Sequence, residues 1–267
     1  MKILVCLKIA KGEINPFDES ALECALRMSD DVTILCMGPK SCESTLGALT
    51  RLGAKAVLIS DTLYAGSDTL ATSYILSTAI KNMDYDLILC GRQSIDGDTA
   101  QVGPMLSQML GINLITNAMS VETDGDLVKA VTRAGEECVG LPAVVTSERS
   151  FVLRFPSIFS KISEVETIDN TYLKCDPSRC GASGSPTKVL EAFENERGRR
   201  KCRFITFAEL DDVVGKALET TCEKVVNAES SAKHKKAWVV GNKVYEKALE
   251  IADEVYIIPK SNPQSIA

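Results

Sequence analysis

The sequence predicts a doubly wound α/β fold, a parallel sheet with helices on both faces, and three observations carry that expectation. Apolar β-type runs recur at Ile3–Leu7, Val32–Met37, Ala56–Ile59, Leu87–Cys90 and Asn113–Met119. The runs are continuous rather than alternating, as strands covered on both faces require. Stretches of helical periodicity separate them, and that alternation is what parallel crossovers need. With 267 residues, 45% of them hydrophobic, the chain is long enough for one large α/β domain plus an appendage.

The elements follow in order. After the first strand, Asn15, Pro16, Phe17 and Asp18 supply an N-cap, a proline at the first helical position and an acid two residues later. Phe17, Ala21, Cys24 and Met28 then fall on one helical face. Asp68 precedes a further helix, with Leu70, Tyr74, Ser77 and Lys81 on one row and Ile75, Ala79 and Met83 on another. Asp98 and Gln101 have the spacing of a capping pair, so a helix is expected to open there, with Pro104 separating its first turn or bending it. Glu122–Asp126 reads as a turn between β-type runs, and Leu141–Thr146, led by Gly140 and Pro142, as another strand. The simplest placement for these is at the edge of the sheet.

The predicted domains are an α/β domain over 1–168, which the resemblance described below makes nucleotide-binding, an extended arm over 169–206 and an extension over 207–267. The arm lacks apolar periodicity, carries CDPSRCGASGSPT and ends near the basic run Arg197, Gly198, Arg199, Arg200, Lys201, so it is expected to cross the surface or a partner. In the extension, Leu210–Val226 reads as helix, and Ala237–Val240, Val244–Ala252 and Val255–Ile258 as strand, helix and strand.

Charge and composition narrow the function. A net charge of -6 argues against general nucleic-acid binding, which needs a concentrated basic face. No apolar stretch reaches the length of a membrane span, and Met1 leads straight into a strand, so a cytoplasmic protein is expected. Of the ten cysteines, Cys6, Cys24, Cys36, Cys90, Cys138 and Cys222 sit in or beside apolar or helical runs and read as small core hydrophobes. Cys175, Cys180, Cys202 and the lone His234 make a poor zinc pattern, and no metal site is assigned.

The stretch GRQSIDGDTAQVGP follows Leu87–Cys90 without a spacer. In an open parallel sheet, ligands bind beyond the carboxyl ends of strands. Gly91 and Gly97 would allow close backbone approach, and Thr99, Ala100 and Gln101 would offer free N–H groups at a helix start, where phosphate is favoured. Asp96 and Asp98 would repel a phosphate and are better suited to capping the turn or accepting from ribose hydroxyls, while Arg92 offsets their charge. On residue types alone, a phosphate-binding loop and a merely well-capped turn are equally served.

Several segments in order resemble the β subunit of electron transfer flavoproteins: KILVCLK, NPFDESALECAL, VTILCMGP, DTLATSYIL, DLILCGRQSIDGDTAQVGPML, LPAVVTSERS, RFPSI and DPSRCGASGSPTKV. They run from Lys2 to Val189. The resemblance implies the adenine-nucleotide α-hydrolase-like form of the α/β fold, here with the arm and the C-terminal strand-helix-strand extension, paired with an α subunit that carries FAD. It also implies a nucleotide site lined by Cys6, Leu7, Lys8, Asn15, Phe17, Asp18, Gly38, Asp68, Thr69 and Thr72, together with Gly91, Arg92, Gln93, Ser94, Asp96, Gly97, Asp98, Thr99, Ala100, Gln101 and Val102. No catalytic side chain is implied, because redox chemistry belongs to the cofactor and the protein positions and tunes it.

Two branches of that family differ in the ligand. Simple carriers hold AMP and have a loop like GKQAIDDD, whereas electron-bifurcating members hold a second FAD and have one like GRQAIDGDTAQVGP. This chain matches the latter at Arg92, Gly97, Thr99, Ala100, Gln101 and Pro104, so FAD is expected and AMP is the alternative. In that branch electrons from NADH divide between ferredoxin and, through the α-subunit flavin, an acyl-CoA or 2-hydroxyacid dehydrogenase. The competing reading is a non-redox AMP-binding interaction or sensor module.

Three departures stand out. Only Ile9–Ile14 remains where the family has a longer hairpin, so groups near the flavin ring are missing. The partner-recognition segment after RFPSI reads FSKISEVE, without the usual lysines. WVVGNKVYEKALEIADEVYII is not the family's ending and locally resembles the end of a dihydrofolate reductase sheet, but no glycine-rich partner loop accompanies it.

Overall fold

The computed structural model describes residues 1–187, 209, 211–214 and 216, and the backbone of 234–240 and 252–258. Contacts divide the chain into two units, Met1–Ala192 and Phe193–Ala267. The first unit opens with β1 (Lys2–Leu7), a two-rung hairpin of β2 (Ile9–Ala10) and β3 (Glu13–Ile14), and α1 (Pro16–Met28). Then come β4 (Asp31–Met37), α2 (Glu43–Thr50), β5 (Lys55–Ile59), α3 (Thr69–Ile80), β6 (Leu87–Gly91) and α4 (Val102–Leu110). The chain continues through β7 (Asn113–Ala118), β8 (Ser120–Asp124), β9 (Leu127–Thr132), β10 (Gly135–Gly140), β11 (Ala143–Ser147), β12 (Val165–Ile168), α5 (Asn170–Leu173) and α6 (Gly181–Gly184).

Seven strands form one sheet in the order β12-β5-β4-β1-β6-β11-β7, and every pairing in it is parallel. This is the expected doubly wound arrangement. Alternate residues of β1 enter opposite layers: Ile3, Val5 and Leu7 pack with Leu22 of α1 and Leu46 of α2, while Leu4 and Cys6 pack with Ile75 of α3 and Leu106 of α4. The chain winds outward from β1 through β4 to β5 and then returns to the other side of β1 as β6. The connections after β1 and β6 therefore diverge, which opens a crevice at the carboxyl ends of these two strands.

Residues 120–146 differ from the expectation of edge additions. β8, β9 and β10 form their own antiparallel sheet, and β11 inserts between β6 and β7 inside the main one. All five residues of β11 are buried, and their small and β-branched side chains suit a central position. Pro142 stands just before the strand, so it removes no ladder donor. The edges are β7 and the four-residue β12, whose burial pattern of two exposed residues in four gave little apolar signal. Cys138 is exposed on β10 instead of being a core residue, whereas Cys6, Cys24, Cys36 and Cys90 are buried as expected and Cys222 lies outside the described residues.

Capping also departs from expectation in two of three places. Asp68 caps α3, its carboxylate accepting from the Leu70 and Ala71 amides at 3.0 Å each. Asn15 precedes α1 but makes no side-chain cap, and α4 begins at Val102, after Gln101, with no capping contact from Asp98. Pro104 thus lies in the first turn of α4, where its missing N–H costs nothing, and the helix has no need to bend. Gly103 lets that turn settle on the sheet: a Cβ there would lie 2.4 Å from Thr146 Cγ2 and 3.1 Å from Cys90 Sγ.

Beyond β12, residues 169–187 fold back on the stretch between β5 and α3. Tyr64 Oη donates to Asn170 Oδ1 at 2.9 Å, and Leu173, Cys175 and Cys180 are buried in the same layer as Tyr64 and Ile75. In the second unit, residues 211–214 are helical, and β13 (His234–Val240) pairs in parallel with β14 (Ala252–Ile258). The residues between these strands, the expected helix among them, lie outside the described residues, as do the arm from Lys188 to Arg203 and most of the expected helix over Leu210–Val226. No helix among the described residues is long and apolar enough to cross a membrane.

The crevice is closed at its base by Asp18. This buried carboxylate accepts from the Lys8 amide at the end of β1 and from the Gly91 amide at the end of β6, both at 2.8 Å. Burial pushes its pKa up from 3.8 to about 6, while the two amides pull the other way. A raised carboxyl pKa contributes stability that is complete below pH 3.8 and is lost as the pH climbs through about 6, a swing of about 3 kcal/mol. Urea unfolding of the parent at pH 4, 5, 6 and 7 should show this decline relative to Asp18→Asn, in which the slope is absent and the mispaired amide costs about 1–3 kcal/mol at neutral pH. Gly103→Ala should cost about 1–3 kcal/mol in the same measurement by lifting α4 from β6 and β11.

Candidate functional site

The crevice is walled by the end of β1, the start of α1 and the loop after β6. Gly91 is required where that loop leaves the strand, because a Cβ would lie 2.5 Å from Asp18 Oδ1 and 2.6 Å from Phe17 Cβ. Asn15 is a peg between the two walls: its Nδ2 donates to Gln93 O at 2.8 Å and its Oδ1 accepts from the Ile95 amide at 3.2 Å. That work accounts for its failure to cap α1. Cys6 and Cys90 are neighbours across β1 and β6, and burial pushes the Cys6 thiol up to about 12 and the Cys90 thiol well above its ordinary value. Both remain neutral, inert floor residues.

The charges along the loop are largely spoken for. Lys8 Nζ pairs with Asp96 at 2.7 Å, and although burial pushes the Asp96 carboxyl up, Lys8 and the Ser94 hydroxyl outweigh it and hold the group below the usual range. Gln93 Nε2 donates to Asp98. Arg92 Nη1 pairs with Glu148 at 2.8 Å, its Nε donates to Gln93, and its guanidinium lies 5.2 Å from the centre of the Phe17 ring. Arg149 approaches the same ring at 5.9 Å. Asp96 and Glu148 are thus paired with cations, while Asp98 is held by a neutral amide, which does not cancel its charge.

The tip of the loop differs from its base. Residues 95–101 are exposed, and Asp98 and Ala100 adopt left-handed backbone angles, φ 50 and 55. Gly97 does not occupy that region, and a Cβ on it would meet only Ser94 Oγ at 3.3 Å, so the conformational demand expected of Gly97 falls on its neighbours. Among the described residues the amides of Thr99, Ala100 and Gln101 have no hydrogen-bond partner, although they stand at the entry to the nine-residue α4. Left-handed residues among such donors turn successive N–H groups to one side, and the helix dipole adds to their positive field. An anionic group such as a phosphate fits this cradle.

Of the other residues in the inferred lining, Thr69 reaches the loop directly, its Oγ1 donating to Gln101 Oε1 at 3.0 Å. Asp68 is occupied by the cap of α3 and by Thr187, and Thr72 continues α3, its amide bonded to Asp68 O. Gly38 follows β4 and packs against Cys42, whose Sγ would lie 2.9 Å from an added Cβ. Leu7 is buried in the layer under α1. Glu148, Arg149 and Arg133 were missed by sequence reasoning; Arg133 Nη2 lies 3.8 Å from Glu148. The signal for Glu148 and Arg149 was the polar triplet ending LPAVVTSERS, which gains meaning only once β11 is known to lie beside β6; Arg133, in the turn after β9, gave none.

A second exposed surface follows β11. Phe155 and Phe159 are 97% and 86% exposed, with Val152, Ile158 and Ile162 beside them. The segment is firmly held at its base: Arg154 donates from N, Nε and Nη2 to the buried Glu23 at 3.0–3.1 Å, Arg51 donates to the carbonyls of Ser157 and Ser160, and the Ser163 amide donates to Thr50 Oγ1 at 2.8 Å. Apolar side chains are thus displayed to solvent from a fixed backbone, which marks an interaction surface.

Known proteins match this chain in sequence. Residues 3–169 match the electron transfer flavoprotein domain. The chain is 40% identical over 202 residues to electron transfer flavoprotein subunit beta of Megasphaera elsdenii, covering 67% of this chain and 74% of that one. It is 37% identical over 204 residues to the acryloyl-CoA reductase electron transfer subunit gamma of Anaerotignum propionicum, covering 67% and 76%. Protein FixA of Azotobacter vinelandii is 36% identical over 215 residues, covering 72% and 74%. With the sheet, the crevice and the loop all lying in the matched region, the chain belongs to the electron transfer flavoprotein family as a β subunit, and its function is electron transfer.

Proposed function

We propose that this β subunit binds FAD in the crevice between β1 and β6 and, with an α subunit, passes electrons between NADH, ferredoxin and an acyl-CoA or 2-hydroxyacid dehydrogenase in the cytoplasm. The observation that carries the reading is the set of unpartnered amides at Thr99, Ala100 and Gln101, exposed at the switch point of a parallel sheet. These amides would hold phosphate, the Asn15 peg would fix the loop against α1, and the backbone at Cys6–Lys8 would border the adenosine. FAD would supply two-electron uptake and one-electron release, chemistry that no side chain here provides. The protein's part is to bind, orient and shield. The thiols of Cys6 and Cys90 are held neutral, and Lys8 pairs with Asp96 as Arg92 does with Glu148, so these six groups line the site without free charge.

One observation favours the alternative ligand, AMP, in place of FAD in this site. The β2–β3 hairpin is two rungs long and turns at Lys11 and Gly12, both at positive φ, so it extends little beyond the strand end. Adenosine and phosphate need only the parts that are present, whereas a flavin ring would be covered less. Reconstitution of the stripped α–β complex with FAD and, separately, with AMP separates the two. Two flavins per heterodimer are expected, with the β-subunit flavin lost faster on dilution; one flavin and a tightly held AMP would overturn the bifurcating reading.

The displayed segment after β11 suits the dehydrogenase, and the relative named for acryloyl-CoA reductase supports an acyl-CoA partner. Truncating Phe155 and Phe159 to Ser should lower kcat/KM for electron delivery to the dehydrogenase by about tenfold or more. Nucleotide content and melting temperature should be unchanged, since neither side chain is buried.

A further inference from the structure

Asp68 makes more contacts than a helix cap requires. Its Oδ1 already serves the first turn of α3, accepting from Leu70 and Ala71. Its Oδ2 accepts from the Thr187 amide at 3.1 Å and the Thr187 hydroxyl at 2.7 Å, and its own amide donates to Ser185 Oγ at 2.8 Å. Segment 180–187 is pinned further by Gly181 N donating to Ser67 Oγ and Ala182 N to Ala65 O, both at 3.0 Å. The approach is close enough that Gly181, at φ 63, would place a Cβ 2.3 Å from Leu63 O. The next residue, Thr69, holds Gln101 at the end of the nucleotide loop. Two adjacent residues in one helical turn therefore grip segment 180–187 on one side and the loop on the other.

We propose that Asp68 is a positioning residue that makes segment 180–187 a strap for the nucleotide loop, so that a nucleotide on the Thr99–Gln101 amides and a seated strap reinforce each other. This rests on the nucleotide reading above. The link runs through hydrogen bonds to a carboxylate, which are stronger than neutral ones, and through a rigid helix start. Linkage makes the effect reciprocal: the nucleotide must tighten the strap by the factor by which the strap tightens nucleotide binding.

The test uses the full chain, stripped of nucleotide and titrated with AMP, with hydrogen exchange followed at 99–101 and 181–187. In the parent, AMP should slow exchange at both. Ser185→Ala and Thr187→Val leave the loop and the cap of α3 untouched; each should weaken AMP binding by about three- to tenfold and abolish the protection of the strap while protection at 99–101 persists. Asp68→Asn should do the same, and should it fail to fold the two strap variants decide. Parent-like AMP affinity in both strap variants, or AMP protection confined to 99–101 in the parent, overturns the strap while leaving the nucleotide site standing. A parent chain that binds neither AMP nor FAD overturns both.

Discussion

The site depends on one buried carboxylate that joins two strand ends. Parallel strands finish with unpaired amides, and at a switch point the chain leaves β1 and β6 in opposite directions, so no neighbouring strand can satisfy them. Asp18 satisfies both from the first turn of α1. That position brings Phe17 against Gly91, which is why the loop can leave β6 only through a glycine. It also fixes the start of α1, and with it the Asn15 peg and the aromatic face that Arg92 and Arg149 approach. Burying the carboxylate carries an electrostatic cost, visible in its raised pKa.

From that tie the loop is graded from held to free. Its first residues are bound to α1 and to β11, through Asn15, through Arg92 and through the Arg92 amide on Ser147 O. Its last residues keep their donors unspent. A binding loop needs both ends of this gradient: a fixed base sets where the donors lie, and unsatisfied donors supply the affinity. The acidic residues that would repel phosphate tie the tip back to the base, since Asp96 takes Lys8 and Asp98 takes Gln93.

The surfaces around the site follow the same design of polar anchors beneath outward groups. Glu23 and Arg51 hold the backbone from which Phe155 and Phe159 project, and burial of Glu23, which alone would raise its pKa, is outweighed by Arg154 and Arg27, leaving it ionised and low. On the other side, burial of Asp68 is outweighed by the Ala71 amide and Thr187. In both cases a charged group holds an irregular segment in place by hydrogen bonds to its backbone, where apolar contact alone would leave the segment free to slide.

Local chemistry by itself determined a good deal of this protein. Apolar runs identified β1, β4, β5 and β6, because a strand covered on both faces has little polar alternation to obscure it, and Asp68 announced the start of α3 by its own side chain. GRQSIDGDTAQVGP marked the loop, since glycines and free amides behind a buried strand are visible without knowing the fold. Tertiary structure decided what depends on neighbours distant in sequence. The insertion of β11 between β6 and β7 was such a case, and it placed Glu148 beside Arg92. Asn15 and Asp98 had the chemistry of caps and were drawn into other work, because a short polar side chain bonds whichever backbone group packing brings within reach. The left-handed angles fell to Asp98 and Ala100 and not to Gly97, since the anchors at each end of the loop, and not the residue preferences within it, set the path of the backbone.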